Sequence, residues 1–285
     1  MRQRRPPFLY KSLITRPRRR ITRRDKGGKN LLRDIIQAKL QDIEAREQVR
    51  ILHCIESGSR AWGFASPDSD YDVRFIYIRS PREYLRLDKT RDVIEWQLDD
   101  TLDINGWDLQ KALRLLHRSN PTLFEWNTSP IVYRTTGAWA SLQPLISACF
   151  MQKPALFHYI SMASGNYREY LRGDKVKLKK YFYVLRPVLA CRWILESKTP
   201  PPMAFSELAE ACLPEALKGE VERLLKLKMS ASEMDWGSRI QPLNEFLEQS
   251  LQEIPRCIQQ LPDAQKADWG ELNEAFLDIL TNNTF

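Results

Sequence analysis

Histidine is scarce in this chain, with three in 285 residues, at His53, His117 and His158. None stands at ligand spacing from another histidine or from a cysteine, and no His-Glu-x-x-His occurs, so a histidine-based metal centre is excluded and all three read as structural. The five cysteines, Cys54, Cys149, Cys191, Cys212 and Cys257, are odd in number and scattered, with no Cys-x-x-Cys pair. That removes a zinc knuckle and a disulfide framework, and fits reduced thiols in a cytoplasmic protein. Glycine is sparse too, and neither Gly-x-x-x-x-Gly-Lys-Ser/Thr nor Gly-x-Gly-x-x-Gly is present, so a P-loop and a dinucleotide fingerprint are both missing. No apolar run reaches the length of a membrane-spanning helix, and the first 30 residues lack the apolar core of a secretory signal.

Charge is plentiful but unevenly placed. The net charge is +8, yet residues 1–30 carry 12 Lys and Arg against the single acid Asp25, and the rest of the chain is slightly acidic. This basic stretch, with three prolines, a Gly-Gly pair and little apolar periodicity, is expected to be disordered. Two readings of it stay open: an arm that binds nucleic-acid phosphates, or upstream sequence included by a misplaced start codon. The length and the 43% hydrophobic content leave room for two cores.

The stretch from Ile51 to Ile78, ILHCIESGSRAWGFASPDSDYDVRFIYI, concentrates the chemistry. Ile51 to Glu56 is an apolar run that suits a buried strand. It ends at Ser57-Gly58-Ser59, where glycine permits a tight strand-to-helix turn and Ser59 is placed to cap a short helix over Arg60 to Phe64. The exposed N–H groups of such a turn suit a phosphate. A second turn over Ser66 to Ser69 then feeds a strand beginning near Asp70. Side chains alternate along a strand, so Asp70 and Asp72 share one face while Tyr71, Val73, Phe75 and Tyr77 take the other. Two like charges side by side cost folding energy unless a cation neutralises them, and magnesium is held by one or two carboxylates together with substrate phosphates. Asp68, Asp70 and Asp72 also imitate the start of a calcium loop, but Val73 and Arg79 stand where that loop needs Gly and Glu.

At these residues the chain resembles the nucleotidyltransferase superfamily that includes DNA polymerase beta, whose signature is a Gly-Ser turn followed by Asp-x-Asp on a strand. GSRAWGFASPDSDYDVRFIY, DINGWDLQKALRLLHRSNPTLFEW and KKYFYVLRP, in that order, are similar to a bacterial and phage group of nucleotidyltransferases, some associated with RNA repair genes. The similarity runs from about Ile51 to about Pro202. It implies an α+β fold, in which a small mixed β-sheet catalytic domain with flanking helices, residues 31–140, precedes an all-α nucleotide-binding domain, residues 141–285. It further implies an NTP substrate, a magnesium or manganese cofactor of two ions, release of pyrophosphate, and an acceptor that is RNA, another nucleic acid or a protein.

Within this frame Asp70 and Asp72 hold metal, and a third carboxylate comes from a neighbouring strand. Asp103, between the apolar Leu102 and Ile104, is the better candidate, because a carboxylate there is costly unless something binds it. Asp108 competes for the role, although it also reads as the cap of a helix running to Arg118. Gly58 and Ser59, with Arg60 beside them, are expected at the nucleotide phosphates.

A helix is predicted over Leu31 to Arg50, and strands over Val93 to Leu98 and Thr101 to Asn105. The second half is predicted as helical, including Pro154 to Arg172, Lys175 to Ser197 with a kink at Pro187, and four later amphipathic segments. On the Lys175 helix, Lys175, Lys179, Tyr183 and Arg186 fall on one face, with Lys180 one step round. The resemblance gives this row the triphosphate and the nucleoside. A nucleic-acid-binding protein on the same fold, and a protein-modifying enzyme of the same fold, are the rival readings.

Overall fold

A computed structural model of the chain describes residues 26–88, 90–99, 101–230, 236–263 and 266–282. Residues 1–25, most of the basic stretch, lie outside the described residues. In order, the elements are α1 (Lys26–Glu47), β1 (Val49–Glu56), α2 (Gly58–Ala61), β2 (Tyr71–Arg79), α3 (Pro81–Tyr84), β3 (Val93–Asp99), β4 (Leu102–Asp108), α4 (Leu109–His117), α5 (Pro121–Asn127) and β5 (Val132–Thr135). There follow α6 (Gly137–Ala140), α7 (Gln143–Ala148), α8 (Gln152–Tyr170), β6 (Lys175–Lys177), α9 (Lys180–Ser197), α10 (Phe205–Cys212), α11 (Glu215–Ser230), β7 (Trp236–Ser238), α12 (Gln241–Gln260) and α13 (Trp269–Asn282). The fold is α+β, a five-stranded mixed sheet flanked by helices and followed by a helical half.

The sheet order is β3-β4-β2-β1-β5. All neighbours are antiparallel except β2 and β4, which run parallel with Asp72 opposite Asp103. Alternation on β2 decides how the layers form. Val73, Phe75 and Tyr77 point to α1 and pack with its Ile36, Leu40 and Ile43. The opposite face changes character along the strand: Ile76 and Ile78 are covered by Leu109, Ala112, Leu113 and Leu116 of α4, whereas Asp72 and Arg74 precede that cover. β4 repeats the pattern, with Asp103 and Asn105 before Trp107, whose ring meets Trp126 of α5 at 4.2 Å. The polar half of this face is where the site forms.

A second core fills the helical half around α9, where Tyr181, Phe182, Val184, Leu185 and most residues to Ile194 are buried. Pro187 lies inside α9, and the Tyr183 carbonyl it leaves without a helical donor accepts instead from Asn166 Nδ2 at 3.2 Å. Phe64, just beyond α2, inserts its ring among Phe182 and Phe205, and the Phe205 amide donates to the Trp62 carbonyl at 2.9 Å. The Gly-Ser turn is thereby tied to the helical half. The last helix, α13, returns to the sheet side, where Leu272 and Ile279 join the α4 core and Trp269 stacks on His117. Among the described residues no helix is long and apolar enough to cross a membrane.

Several sequence expectations are corrected. α1 starts at Lys26, inside the stretch expected to lack structure, and stops at Glu47 because Gln48 takes a left-handed φ of 52°. Ser59 caps nothing: α2 begins at Gly58, Ser57 holds the capping position without a side-chain bond, and Ser59 lies in the turn of helix. β5, which pairs with β1, has no expected counterpart. The helical half is not wholly helical, because β6 and β7 form a two-stranded ribbon. Lys175 therefore belongs to a strand and Lys179 to the residue before α9, so the four-residue row on one helix face does not exist.

Candidate active site

The Gly-Ser turn and the Asp-x-Asp strand are built as one unit. Gly58 has a φ of +59°, and a Cβ there would lie 2.0 Å from Asp72 Oδ2, so only glycine lets the carboxylate rest against the turn. The Ser57 amide donates to the Asp72 carbonyl at 2.8 Å. Arg60 reaches back to the carbonyls of Ser69, at 2.6 Å, and Asp70, at 3.1 Å, while its guanidinium lies 3.5 Å from the centre of the Tyr71 ring. Arg60 thus clamps the loop that delivers the first aspartate, and two of its donor nitrogens are committed to that task.

Asp72 is fixed from below by Glu56, a residue with no exposed surface at the end of β1. Glu56 Oε1 accepts from the Asp72 amide at 2.8 Å, and its other oxygen accepts from the Tyr133 hydroxyl. Burial pushes the Glu56 carboxyl above the usual range, against the pull of those bonds. Burial likewise raises Asp72, with Asp103 and Asp70 adding to the rise and Arg74 opposing it. Folding therefore leaves Asp72 short of positive charge.

Arg74 makes up part of that shortage. One of its nitrogens donates to Asp72 Oδ1 at 3.0 Å and to Asp103 Oδ2 at 2.8 Å, so its guanidinium bridges the two carboxylates. Asp103 is the carboxylate beside Asp72, opposite it on the parallel strand, but it is the second residue of β4 rather than mid-strand and its side chain is exposed. Asp108 lies at the far end of β4, accepting from the Gln110 amide at 2.8 Å and from Tyr84 at 2.9 Å, which is a capping role. With Arg74 between the carboxylates, no group of three or more potential ligands converges on one point among the described residues. The donors themselves are hard oxygens that suit magnesium or manganese, and Arg74 marks the place between Asp72 and Asp103 as one that takes a cation.

The opposite wall comes from α9 and the segment after α2. Tyr183 is 38% exposed, and its hydroxyl is raised by burial and then by the charges of Asp72 and Asp70, which places it in their field. Its ring meets Trp62 edge-on at 6.0 Å. Lys180 Nζ lies 3.9 Å from the Tyr170 ring centre and 4.8 Å from that of Tyr183. Lys179 is exposed beside it. Arg186 is not available to a phosphate: it is 4% exposed, bonded to Glu125 Oε1 at 2.9 Å, and stacked 4.7 Å from the Trp62 ring centre. It joins α9 to α5 and the Gly-Ser segment.

The profile of the RNA repair pathway DNA polymerase beta family matches residues 32–278. The chain belongs to that family. Its members are nucleotidyltransferase-like proteins of the polymerase beta type, and the match spans the sheet, the carboxylates and the helical half together. The chain is also 45% identical over 244 residues to the uncharacterized protein YcgL of Bacillus subtilis, covering 85% of this chain and 94% of that protein. Among solved structures it is matched to a nucleotidyltransferase-like protein from Exiguobacterium sibiricum, at 13% identity and a TM-score of 0.28, over 80% of this chain and 74% of the other.

Four residues of this family member's site escape a motif-based reading. Arg74 shares the strand face of Asp72, so the period of two that aims this aspartate also aims the arginine, whereas Asp70, expected on the same strand, stands one residue before β2. Glu56 is the one charge closing an apolar run. Tyr133 and Trp62 carry no local signal, because only the sheet pairing and the α9 packing bring them in.

Removing the bridging guanidinium is expected to favour a metal ion. In Arg74→Met, manganese affinity read by electron paramagnetic resonance should tighten by about tenfold, since no internal cation must first leave. Unchanged or weaker affinity would mean that the ion does not compete for the Asp72–Asp103 pair.

Proposed function

We propose that this protein transfers a nucleoside monophosphate from an NTP to an acceptor hydroxyl, with an RNA end favoured as acceptor, and releases pyrophosphate. The observation that carries the reading is the pairing of Asp72 with Asp103 across parallel strands, directly against the glycine turn. Asp70, Asp72 and Asp103 would hold the divalent ions, and a bound pair supplies charge neutralisation for the triphosphate and acidifies the attacking hydroxyl.

The remaining work falls to the chain's own residues. The acceptor oxygen forms a bond to the α-phosphorus while the bond from that phosphorus to the oxygen bridging to the β-phosphate breaks, so pyrophosphate departs with the bonding pair. The proton lost by the hydroxyl passes to the carboxylate cluster, where Asp103 is the exposed strand member. Ser59 and the turn meet the outer phosphates, and Lys179 and Lys180 offset charge that builds on the leaving group. Tyr183 faces the nucleoside from α9. Arg60, Glu56 and Arg186 hold these groups in place. The RNA preference rests on the family's association with RNA repair.

Incubation with each α-labelled NTP, magnesium or manganese, and RNA, DNA or cell-extract protein tests the reading. Label should appear on RNA and be lost in the Asp70→Ala, Asp72→Ala double variant. Label on protein alone would replace the acceptor, and no label on any acceptor would overturn the transferase.

A further inference from the structure

β6 and β7 pair as a two-stranded ribbon, with Lys177 opposite Trp236 and Lys175 opposite Ser238. Alternation gives the ribbon two unlike faces. On the inner face Val176 is fully buried, and a Cβ at its partner Gly237 would lie 2.9 Å from the Leu178 side chain. The outer face presents Lys175, Lys177, Trp236 and Ser238, all exposed. Trp236 is 62% exposed, and Lys177 Nζ lies 5.4 Å from its ring centre. A large aromatic ring held in water forgoes the apolar burial that would stabilise it, so packing does not account for its place.

The ribbon is tied to the helices beneath it. The Arg239 amide donates to the Asp174 carbonyl at 3.1 Å, the Ile240 amide donates to the Tyr181 hydroxyl at 2.8 Å, and the Arg239 guanidinium meets Glu248 at 2.5 Å. Its outer face is therefore a fixed platform. Charge and ring together suit one kind of partner. Residues 171–180 and 231–240 hold six Lys and Arg against three acids, in a chain that is slightly acidic beyond its first 30 residues. Exposed cations beside an exposed aromatic ring suit unpaired nucleic acid, whose phosphates meet the cations while a base stacks on the ring. The same run of chain leads into the active site. From Lys177 to Tyr183 it spans at most about 15 Å, as three extended residues and three steps along α9. The Tyr183 ring lies 6.0 Å from that of Trp62, whose amide donates to the Gly58 carbonyl at 2.9 Å, and Gly58 rests against Asp72.

We propose that the outer face of the β6–β7 ribbon holds the unpaired strand of an RNA acceptor, with a base stacked on Trp236 and the flanking phosphates on Lys175 and Lys177. This rests on the transferase reading for the choice of RNA, and adds where the strand lies beyond its reacting end. A duplex keeps its bases stacked inside and offers Trp236 no free face, so the platform selects unpaired RNA.

Fluorescence anisotropy of the full chain with a short labelled single-stranded RNA, and with the matching duplex, over a salt series tests the platform. Trp236→Ala should weaken single-strand binding by about tenfold and leave duplex binding unchanged. Trp236→Tyr should retain most of the affinity, and the melting temperature should hold in both. The double variant Lys175→Gln, Lys177→Gln should flatten the slope of log affinity against log salt by about 1.4, the share of two phosphates on a single strand. Every variant keeps the basic N-terminal stretch, so the differences report the ribbon alone. Wild-type single-strand affinity in Trp236→Ala, an equal loss for the duplex, or an unchanged salt slope in the lysine variant would overturn the platform. The two readings fail separately: ribbon-dependent RNA binding with no transfer from any NTP sinks the transferase and leaves the platform, whereas transfer to RNA with unchanged RNA binding in Trp236→Ala does the reverse.

Discussion

Asp72→Asn is expected to lower nucleotide transfer by roughly 1,000-fold, the scale of loss when a ligand of a metal-assisted phosphoryl site is neutralised. The substitution keeps the shape of the side chain and leaves untouched the backbone bonds from Asp72 to Glu56 and Ser57. The loss should therefore come without unfolding. Stability carries a second signature. Folding raises the Asp72 carboxyl through burial and the nearby charges of Asp103 and Asp70. A carboxyl raised by folding contributes stability that is full below its unfolded pKa and lost as pH climbs through the folded one. Asparagine does not titrate, so in EDTA the melting temperature of the variant should improve relative to the unaltered protein as pH rises across that window. Thermal melts over a pH series, run beside the transfer assay, check both parts. A variant that keeps near-normal transfer would remove Asp72 from the chemistry.

Gly58→Ala should damage fold and activity together. A left-handed φ at a non-glycine residue costs about 1–2 kcal/mol, and the added methyl would stand 2.0 Å from Asp72 Oδ2. Either the turn or the carboxylate must move. A shift of about 1 Å in a reacting group costs on the order of 100-fold in rate, so transfer should fall by about that factor. Denaturant unfolding should show a loss of about 1–3 kcal/mol. An alanine variant with full activity would mean that the close approach of Gly58 and Asp72 does not position the site.

The chain discloses this site unevenly. Asp72 and the glycine turn are legible because a strand's period of two and a glycine's freedom are local properties, whereas Asp70 falls just before β2 and outside that period. Asp103 does lie opposite Asp72, but not for the cost of burying it: its side chain is exposed between the buried Leu102 and Ile104. The lysine row fails because helical spacing does not run through this segment: residues 175–177 pair with β7, and α9 starts only at Lys180. Nothing in the local pattern of Lys175 to Lys179 distinguishes a ribbon from a helix. Arg186 illustrates another boundary. Its charge and spacing suit a phosphate, and only its burial against Glu125 and Trp62 assigns it to the scaffold. β5 is short and half-buried, so it becomes a strand through its pairing with β1 rather than through a pattern of its own.

The most direct test of the account compares the fates of two labels, with RNA, one NTP and a divalent ion present. Label at the α-phosphate should become bound to the acceptor, while label at the γ-phosphate should leave as pyrophosphate in equal amount. γ-label on the acceptor would make the protein a kinase, and release of inorganic phosphate without acceptor labelling would make it a hydrolase; either result contradicts nucleotidyl transfer at the Asp70, Asp72 and Asp103 site.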